Sequence, residues 1–218
     1  MLKKTLFFLL ILFSASAFAA PSGVDMVRSV ITTSISHLSQ YKKQHGEGKP
    51  VPTAVLYRII EQQLLPHMDA DYMLRSILAR QCQYQTGKGC QLIDVNKIPA
   101  SQWKLLRNQT VMMMVNLYAS ALGSADDYKI RFRKNRVPVA ANPGATQQVM
   151  SQVVLPGTAP VIIDYQLMFK NGQWLVTDFS INGAISVVQN LRAQFAPTLQ
   201  QSGVTGLIAL LKKHNAGK

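Results

Sequence analysis

The stretch IIDYQLMFKNGQWLVTDFSI, residues 162–181, decides the fold of this chain. It contains two runs rich in Ile, Tyr, Phe, Trp and Val, residues 162–170 and 173–181, on either side of Asn171-Gly172. Asn-Gly is the strongest short-range signal for a β-hairpin, because a type I′ turn needs a positive φ at both central residues and these two residues adopt it with the least strain. The sequence therefore predicts two antiparallel strands joined by a two-residue turn.

Counting outward from this turn gives the register of the two strands. Leu167 is predicted to oppose Val176, and Tyr165 to oppose Asp178, on a face that is largely aromatic and aliphatic. The other face is also partly apolar, with Met168 close to the turn. A sheet with apolar side chains on both faces needs helices to cover it, so the rest of the chain should supply them.

Helices are predicted on both sides of the hairpin in the sequence. After it, residues 186–201 repeat apolar side chains at helical spacing, Gly203 is a stop signal, and residues 205–213 form a last short helix. Before it, four helices are predicted with these limits: residues 24–45, Pro52 to Pro66, the Asp69 cap to residue 78, and residues 99–122 before Gly123.

Residues 128–133 change the period of the chain from helical to alternating. One side of this strand is apolar and the other is basic: Tyr128, Ile130 and Phe132 against Lys129, Arg131 and Arg133. A further strand at residues 147–155 and a turn at Pro156-Gly157 lead into the hairpin. The order of elements predicts an α+β fold, a curved four-stranded antiparallel meander covered by N-terminal and C-terminal helices.

The N-terminus predicts export. A short basic start, an apolar run at residues 6–13 and the A-x-A site Ala17-Phe18-Ala19 together form a secretory signal peptide. Residues 1–19 are expected to be removed, leaving residues 20–218 as one domain in a bacterial periplasm.

The charge of the chain favours anionic partners. The formal net charge is +13, and +11 remains once Lys3 and Lys4 are removed with the signal peptide. Such a balance suits nucleic acid or an anionic lipid surface. Export favours lipid, so a transient contact with an anionic membrane is predicted and a nucleic-acid partner is not.

Cys82 and Cys90 are separated by a loop that contains Gly87 and Gly89. In an oxidising compartment the default for such a pair is a disulfide that closes the loop. A metal site is the alternative, but it would need further ligands and the neighbouring sequence offers none. The sequence therefore favours a structural disulfide.

The sequence contains none of the common catalytic or metal-binding motifs, such as G-x-S-x-G, H-E-x-x-H, C-x-x-C or a P-loop. No catalytic residue, metal site or cofactor is therefore predicted. Asp178 leaves two interpretations open: a hydrogen-bonded structural carboxylate, which is the commoner role of a buried Asp, or a base in a cone-shaped pocket beside Tyr165.

Apolar side chains are the strongest functional signal. Met113 and Met114 lie in the middle of a helix, and methionine adapts to irregular cavities and loosely specified ligands. Two interpretations are open, an ordinary core or a pocket for a long apolar ligand between this helix and the sheet. The candidate pocket residues are Trp103, Leu106, Met113, Met114, Leu117, Tyr118, Ile130, Phe132, Val153, Tyr165, Leu167, Phe169, Trp174, Val176, Val187, Leu191 and Phe195.

Three arginines are candidates for contact with phosphate groups. Arg131 and Arg133 lie on the basic side of the first predicted strand, and Arg192 lies on the helix after the hairpin. They could hold a lipid headgroup or rest on an anionic membrane, and a merely solvated face is the alternative.

The C-terminal part of the chain resembles a known family. WLVTD at residues 174–178 is followed by Asn182-Gly183, by ISVVQNLRAQF at residues 185–195 and by GVTGLI at residues 203–208. Leu65-Pro66 before the Asp69 helix, and the helix that ends near Tyr118, fit the same pattern. Together these segments resemble the MlaC, or toluene-tolerance, family of periplasmic phospholipid-shuttle proteins.

The resemblance implies a nuclear-transport-factor-like cone whose deep apolar pocket takes the acyl chains of a phospholipid and leaves the headgroup near solvent. It also implies docking, in turn, with an outer-membrane lipoprotein complex and with an inner-membrane ABC transporter complex through its lipid-binding ring, which maintains the lipid asymmetry of the outer membrane. The chain departs from the family pattern at Leu191, where an aromatic residue is usual, and at the loop from Cys82 to Cys90.

Two functions of other classes remain open. One is an exported small-molecule enzyme, a hydrolase or isomerase with Asp178 and Tyr165 in its cone. The other is an adaptor protein of the cell envelope that binds only proteins.

Overall fold

A four-stranded antiparallel sheet forms the frame of the molecule, in the order β3-β4-β5-β6. The computed structural model describes residues 21–46, 49, 51–123, 129–133, 139–154 and 159–216, and the side chains of residues 117–123 lie outside that description. The strands are β3 (Lys129–Phe132), β4 (Thr146–Val154), β5 (Val161–Lys170) and β6 (Gln173–Ile181). The predicted meander and the α+β class are thus confirmed, whereas Tyr128, Pro156-Gly157 and the signal peptide lie outside the described residues.

The helices pack against this sheet and against one another. They are α1 (Gly23–His45), α2 (Thr53–Ile59), α3 (Ala70–Leu78), α4 (Ala100–Gly123) and α5 (Val187–Ala216). Within the described part of the chain, none of them is both long enough and apolar enough to cross a membrane.

The hairpin turn is formed as predicted, with φ values of 53° at Asn171 and 80° at Gly172. The predicted pairing of Leu167 with Val176 is confirmed, but the pairing of Tyr165 with Asp178 is wrong. One additional residue in β6, Thr177, makes a β-bulge, so Tyr165 pairs with Phe179. The Thr177 hydroxyl donates to the Gln166 carbonyl oxygen at 3.1 Å across the bulge.

The predicted break between the last two helices is present as a kink at Gly203. The residues before and after the kink are helical, and we number them together as α5. Gly203 has φ 62° and ψ −161°, a conformation that only glycine adopts without strain. A Cβ atom there would lie 2.4 Å from the Gln83 side-chain oxygen. Glycine therefore both turns the helix and lets another segment approach it.

That other segment is a hairpin that the sequence did not predict. Residues predicted as a simple loop form β1 (Cys82–Gln85) and β2 (Gly89–Leu92), closed by the expected disulfide between Cys82 and Cys90 with Cα atoms 5.4 Å apart. Gln83 of this hairpin packs against the break in α5.

The second predicted helix is divided into three parts. α2 is followed by a π-helical segment, Ile60–Leu64, and by a 3₁₀ turn, Leu65–His67. The Leu65 N–H donates to the Ile60 carbonyl, five residues earlier, which is the π-helical pattern. The pattern of apolar residues gave no sign of this widening.

Asp69 connects the helices to the sheet. Its carboxylate accepts from the Tyr72 N–H at 3.0 Å, as the predicted N-cap of α3, and from the Lys170 ammonium at 2.7 Å. Its own N–H donates to the Val176 carbonyl at 2.9 Å. The Asp69 side chain is only 6% exposed, so the carboxylate end of both bonds is shielded from water.

We expect Asp69→Ala to lower the free energy of unfolding by about 2 to 3 kcal/mol, because it removes a helix cap and a charge-assisted hydrogen bond together. Urea denaturation monitored by circular dichroism measures this. Lys170→Met is the matched control and should cost less, since the lysine side chain is 48% exposed and the helix cap survives. Equal losses in the two variants would show that Asp69 acts only through Lys170.

We expect replacement of both Cys82 and Cys90 by serine to lower the free energy of unfolding by about 2 to 3 kcal/mol, as the chain-entropy estimate gives for so short a loop. Denaturation of the variant beside the wild type, each with and without a thiol reductant, measures this. Only the wild type should respond to the reductant, and a wild type that did not respond would contradict the role of the disulfide.

Candidate functional site

The inner face of the sheet is the candidate site. Here we use "inner face" for the side chains that alternation and pairing place on the same side as those contacting α1. From the far end of the sheet toward the hairpin turn, its cross-strand rows are Ile130–Val153–Val161, Phe132–Ser151–Ile163–Ile181, Val149–Tyr165–Phe179, Gln147–Leu167–Val176 and Phe169–Trp174.

The end of this face near the hairpin turn is filled by α1. Leu167 and Trp174 are each 1% exposed and pack with Met26 and Val27 of the helix. The Gly23 N–H donates to the side-chain oxygen of buried Gln147 at 3.1 Å. Among the described residues, this end is therefore packed as protein core.

Gly23 allows this close approach. A Cβ atom on it would lie 2.3 Å from the Gln147 side-chain oxygen and 2.6 Å from a Leu167 methyl carbon. Only a residue without a side chain fits, so the first turn of α1 is held directly on the sheet.

The far end of the inner face is open. Five apolar side chains in its first two rows are only partly buried: Ile130, Phe132, Val161, Ile163 and Ile181. Val153, between them, is 9% exposed. These side chains form an apolar surface that the described helices leave incompletely covered. Phe132 is its most covered member, since it packs against the α1 core and the Arg28 guanidinium lies 5.2 Å from the centre of its ring.

A polar pair lies where the open end meets the filled end. The fully buried Ser151 hydroxyl donates to the Tyr165 hydroxyl oxygen at 3.5 Å, a long hydrogen bond. Burial of the phenol raises the pKa of Tyr165 above its ordinary value of 10.0, and the Ser151 hydrogen bond opposes this only in part. Tyr165 is therefore neutral at any physiological pH.

The predicted pocket residues separate into two groups. Those of the hairpin lie on the inner face, but those of the helices form a different core, which we call the helical cluster, built from α3, α4 and α5. The candidates in the helical cluster are Trp103, Leu106, Met113, Met114, Val187, Leu191 and Phe195. Phe179, the partner of Tyr165, packs against this cluster and so connects it to the sheet.

Within the helical cluster the candidates pack as ordinary core. Leu106 is 0% exposed and Leu191 is 2% exposed. The Trp103 indole N–H donates to Asp71 at 2.8 Å, and the Arg75 guanidinium lies 4.8 Å from the centre of the Trp103 ring. For the helix candidates up to Met114 the structure matches the core interpretation, and the side chains of Leu117 and Tyr118 lie outside the described residues.

The three candidate arginines are not in one place. Arg131 is exposed on the edge strand β3, on the side opposite the inner face, and Arg133 is exposed just after the end of that strand. The Arg192 guanidinium instead donates to the Ser76 carbonyl near the end of α3, through Nε at 3.2 Å and through Nη2. Arg192 thus has a partner inside the protein, whereas Arg131 and Arg133 are exposed to solvent.

Asp178 has structural partners. Its carboxylate accepts from the Phe179 N–H at 2.8 Å and from the Val188 N–H at 3.1 Å, in the first turn of α5. The bulge pairs Asp178 with Gln166, so it does not face Tyr165 as the enzyme hypothesis required. The geometry is that of a carboxylate stabilising a helix N-terminus.

Several residues of the open end were missed by the sequence prediction. Val161, Ser151 and Ile163 follow from alternation along β4 and β5 once the register is known. Phe179 and Ile181 could not be placed, because the bulge reverses the face of every residue after it.

Comparison with known proteins places these features in context. The family model described as "MlaC protein" matches residues 28–213. Among solved structures, the phospholipid-binding protein from Ralstonia solanacearum, in complex with a phospholipid, superposes with a TM-score of 0.73 at 18% sequence identity. The alignment covers 90% of this chain and 98% of that one, which shows a shared fold. No curated protein matches the chain.

We expect the stability of the protein to fall as the pH rises above 10, because the folded state holds the Tyr165 phenol neutral while the unfolded chain ionises it. Tyr165→Phe should show a smaller fall between neutral pH and pH 11, measured by urea denaturation. Tyr84→Phe, at a tyrosine that is 63% exposed, should behave as the wild type does. A Tyr165→Phe curve parallel to the wild type would contradict the assigned burial.

Proposed function

The chain belongs to the MlaC protein family, and we propose that it is a periplasmic phospholipid carrier that takes the acyl chains of its lipid on the open end of the inner face. The observation that carries this proposal is the set of partly buried apolar side chains in the two outermost rows. Apolar surface left uncovered in rows of this kind is typical of a ligand site.

The energetics of carriage explain why such a surface is needed. A diacyl lipid has roughly thirty methylene groups, and each costs about 0.8 kcal/mol to expose to water. A protein that moves such a molecule through an aqueous compartment must cover most of this surface. Covering it requires a dry, apolar site and no bond-making chemistry.

Relatives support the choice of ligand. The Ralstonia solanacearum protein of the same fold is described as phospholipid-binding and holds a phospholipid. The family match covers most of this chain, and the resemblance described above implies a periplasmic lipid-transport component. We propose that the present chain also reaches the periplasm, exported by the signal peptide at residues 1–19.

We further propose the route of the carrier. It would shuttle lipid between an outer-membrane lipoprotein complex and an inner-membrane ABC transporter complex with its lipid-binding ring, and so maintain outer-membrane lipid asymmetry. Arg131 on β3 and Arg133 just after it are exposed, and of the three candidate arginines they are the best placed to meet an anionic headgroup or membrane surface. The high positive charge of the chain would favour such encounters.

We expect native mass spectrometry of the protein purified from a bacterial periplasm to show a bound mass in the phospholipid range, identified after lipid extraction. Ile163→Arg should reduce the lipid-bound fraction by about tenfold or more, because a guanidinium on the open end must be desolvated by the acyl chains. Position 163 is chosen over Leu167 because it is partly exposed, so the fold should tolerate the arginine.

Ile185→Arg is the matched control, since Ile185 is 70% exposed and outside the inner face. It should retain lipid as the wild type does. A bare polypeptide mass for the wild type, persisting after incubation with phospholipid vesicles, would contradict the carrier function. Full lipid retention by Ile163→Arg would contradict only the location of the site.

A further inference from the structure

A second concave site lies at the opposite end of α1. Between the C-terminal half of α1 and the helix formed by α2 and its π-helical segment there is an open groove with a volume of about 270 Å³. Both helices present residues to it at helical spacing, His37 to Gln44 from α1 and Val55 to Gln62 from the second helix. Below it, Leu38 and Leu56 belong to the apolar core that holds the two helices together.

The floor and walls of the groove differ in character. Tyr41, Val55 and Ile59 supply apolar surface, and the Tyr41 ring stacks on His45 at 4.1 Å between centroids. The walls are polar and carry four glutamines, one histidine and one arginine: Gln40, Gln44, Gln62, Gln63, His37 and Arg58. Among the described residues that line it there is no carboxylate.

The π-helical segment shapes one wall. Gln62 and Gln63 are neighbours in sequence, yet both line the groove. A π-helical turn has more residues per turn than an α-helical one, so consecutive side chains diverge less. Such segments are uncommon and are frequently found at functional sites.

The six polar wall side chains have not used their hydrogen-bonding capacity inside the protein. In the part of the chain that the structure describes, no hydrogen bond or ion pair joins any of them to another group. The walls therefore present a set of planar donors and acceptors to whatever occupies the groove.

The chemistry of the lining selects a class of ligand. Each glutamine amide both donates and accepts, which matches hydroxyl groups, since these also do both. An aromatic and aliphatic floor suits the apolar face of a sugar ring. Arg58 offers a planar fork that binds a carboxylate or phosphate in two places, and none of the lining residues that the structure describes is acidic.

We propose that this groove binds an acidic saccharide, a sugar that carries a carboxylate or phosphate, with Arg58 on the acid and the glutamines on the hydroxyls. The site is separate from the inner face of the sheet, which α1 contacts through Met26 and Val27 near its other end. It does not depend on the lipid-carrier function.

The test is a titration of the full mature protein, followed by nitrogen-15 NMR, with glucuronate, glucose 6-phosphate, glucose and inorganic phosphate as probes. We expect saturable binding of the two acidic sugars, with shift changes concentrated in residues 37–44 and 55–63, and weaker binding of glucose. Arg58→Gln should weaken the binding of the acidic sugars by about tenfold, because it removes a charge-assisted contact, and should leave the binding of glucose unchanged.

Arg80→Gln is the control, because Arg80 is an exposed arginine remote from the groove in sequence, and it should bind all probes as the wild type does. Gln62→Ala should weaken the binding of acidic and neutral sugars alike. A site that recognised only the charge would not show this effect. The proposal is overturned if neither acidic sugar saturates the groove, or if Arg58→Gln has no effect. It is also overturned if inorganic phosphate binds as tightly as the sugars, since the groove would then select charge alone.

Discussion

The buried carboxylate of Asp69 is the constraint on which the arrangement of helices and sheet depends. It stands at the start of α3 and bonds to Lys170 beside the hairpin turn, while its backbone N–H bonds to Val176 in the edge strand. Two of the hydrogen bonds at this residue therefore join the start of α3 to the sheet, one to β5 and one to β6, and the third caps the helix itself. Since α3 carries part of the helical cluster, the position of that core relative to the sheet follows from this one joint.

The sequence predicted those parts of the fold that depend on local chemistry. Asn171-Gly172 gave the turn and the register up to Leu167, because that turn has a fixed loop length. Asp69 predicted a helix start because its side chain caps the helix, and Gly203 predicted a helix break because glycine adopts a positive φ. The bulge at Thr177 could not be predicted, because nothing in the residue types at 176–178 distinguishes a bulge from regular pairing, and its effect is to change the face of the rest of β6.

The candidate site was harder to predict than the fold, since an apolar residue reads the same whether protein or ligand covers it. Met113 and Leu106 are residue types expected in a lipid pocket, yet they pack with α3 and α5. Ile163 was overlooked, although it lies on the open end. Whether a side chain is core or binding surface depends on which element reaches it, and that is a property of the packed structure, which sequence periodicity does not contain.

This division between core and open face is what the proposed function, a carrier of apolar ligands, requires. Apolar surface reserved for a ligand contributes little to folding while it is empty, so stability has to come from elsewhere in the chain. Here the helical cluster, with Leu106, Leu199 and Leu207 fully buried, and the disulfide hairpin against Gly203 supply it. The sheet is fully buried near the turn, where Gly23 and Gln147 hold α1 in place. Its far end is only partly buried, as the proposed ligand site requires.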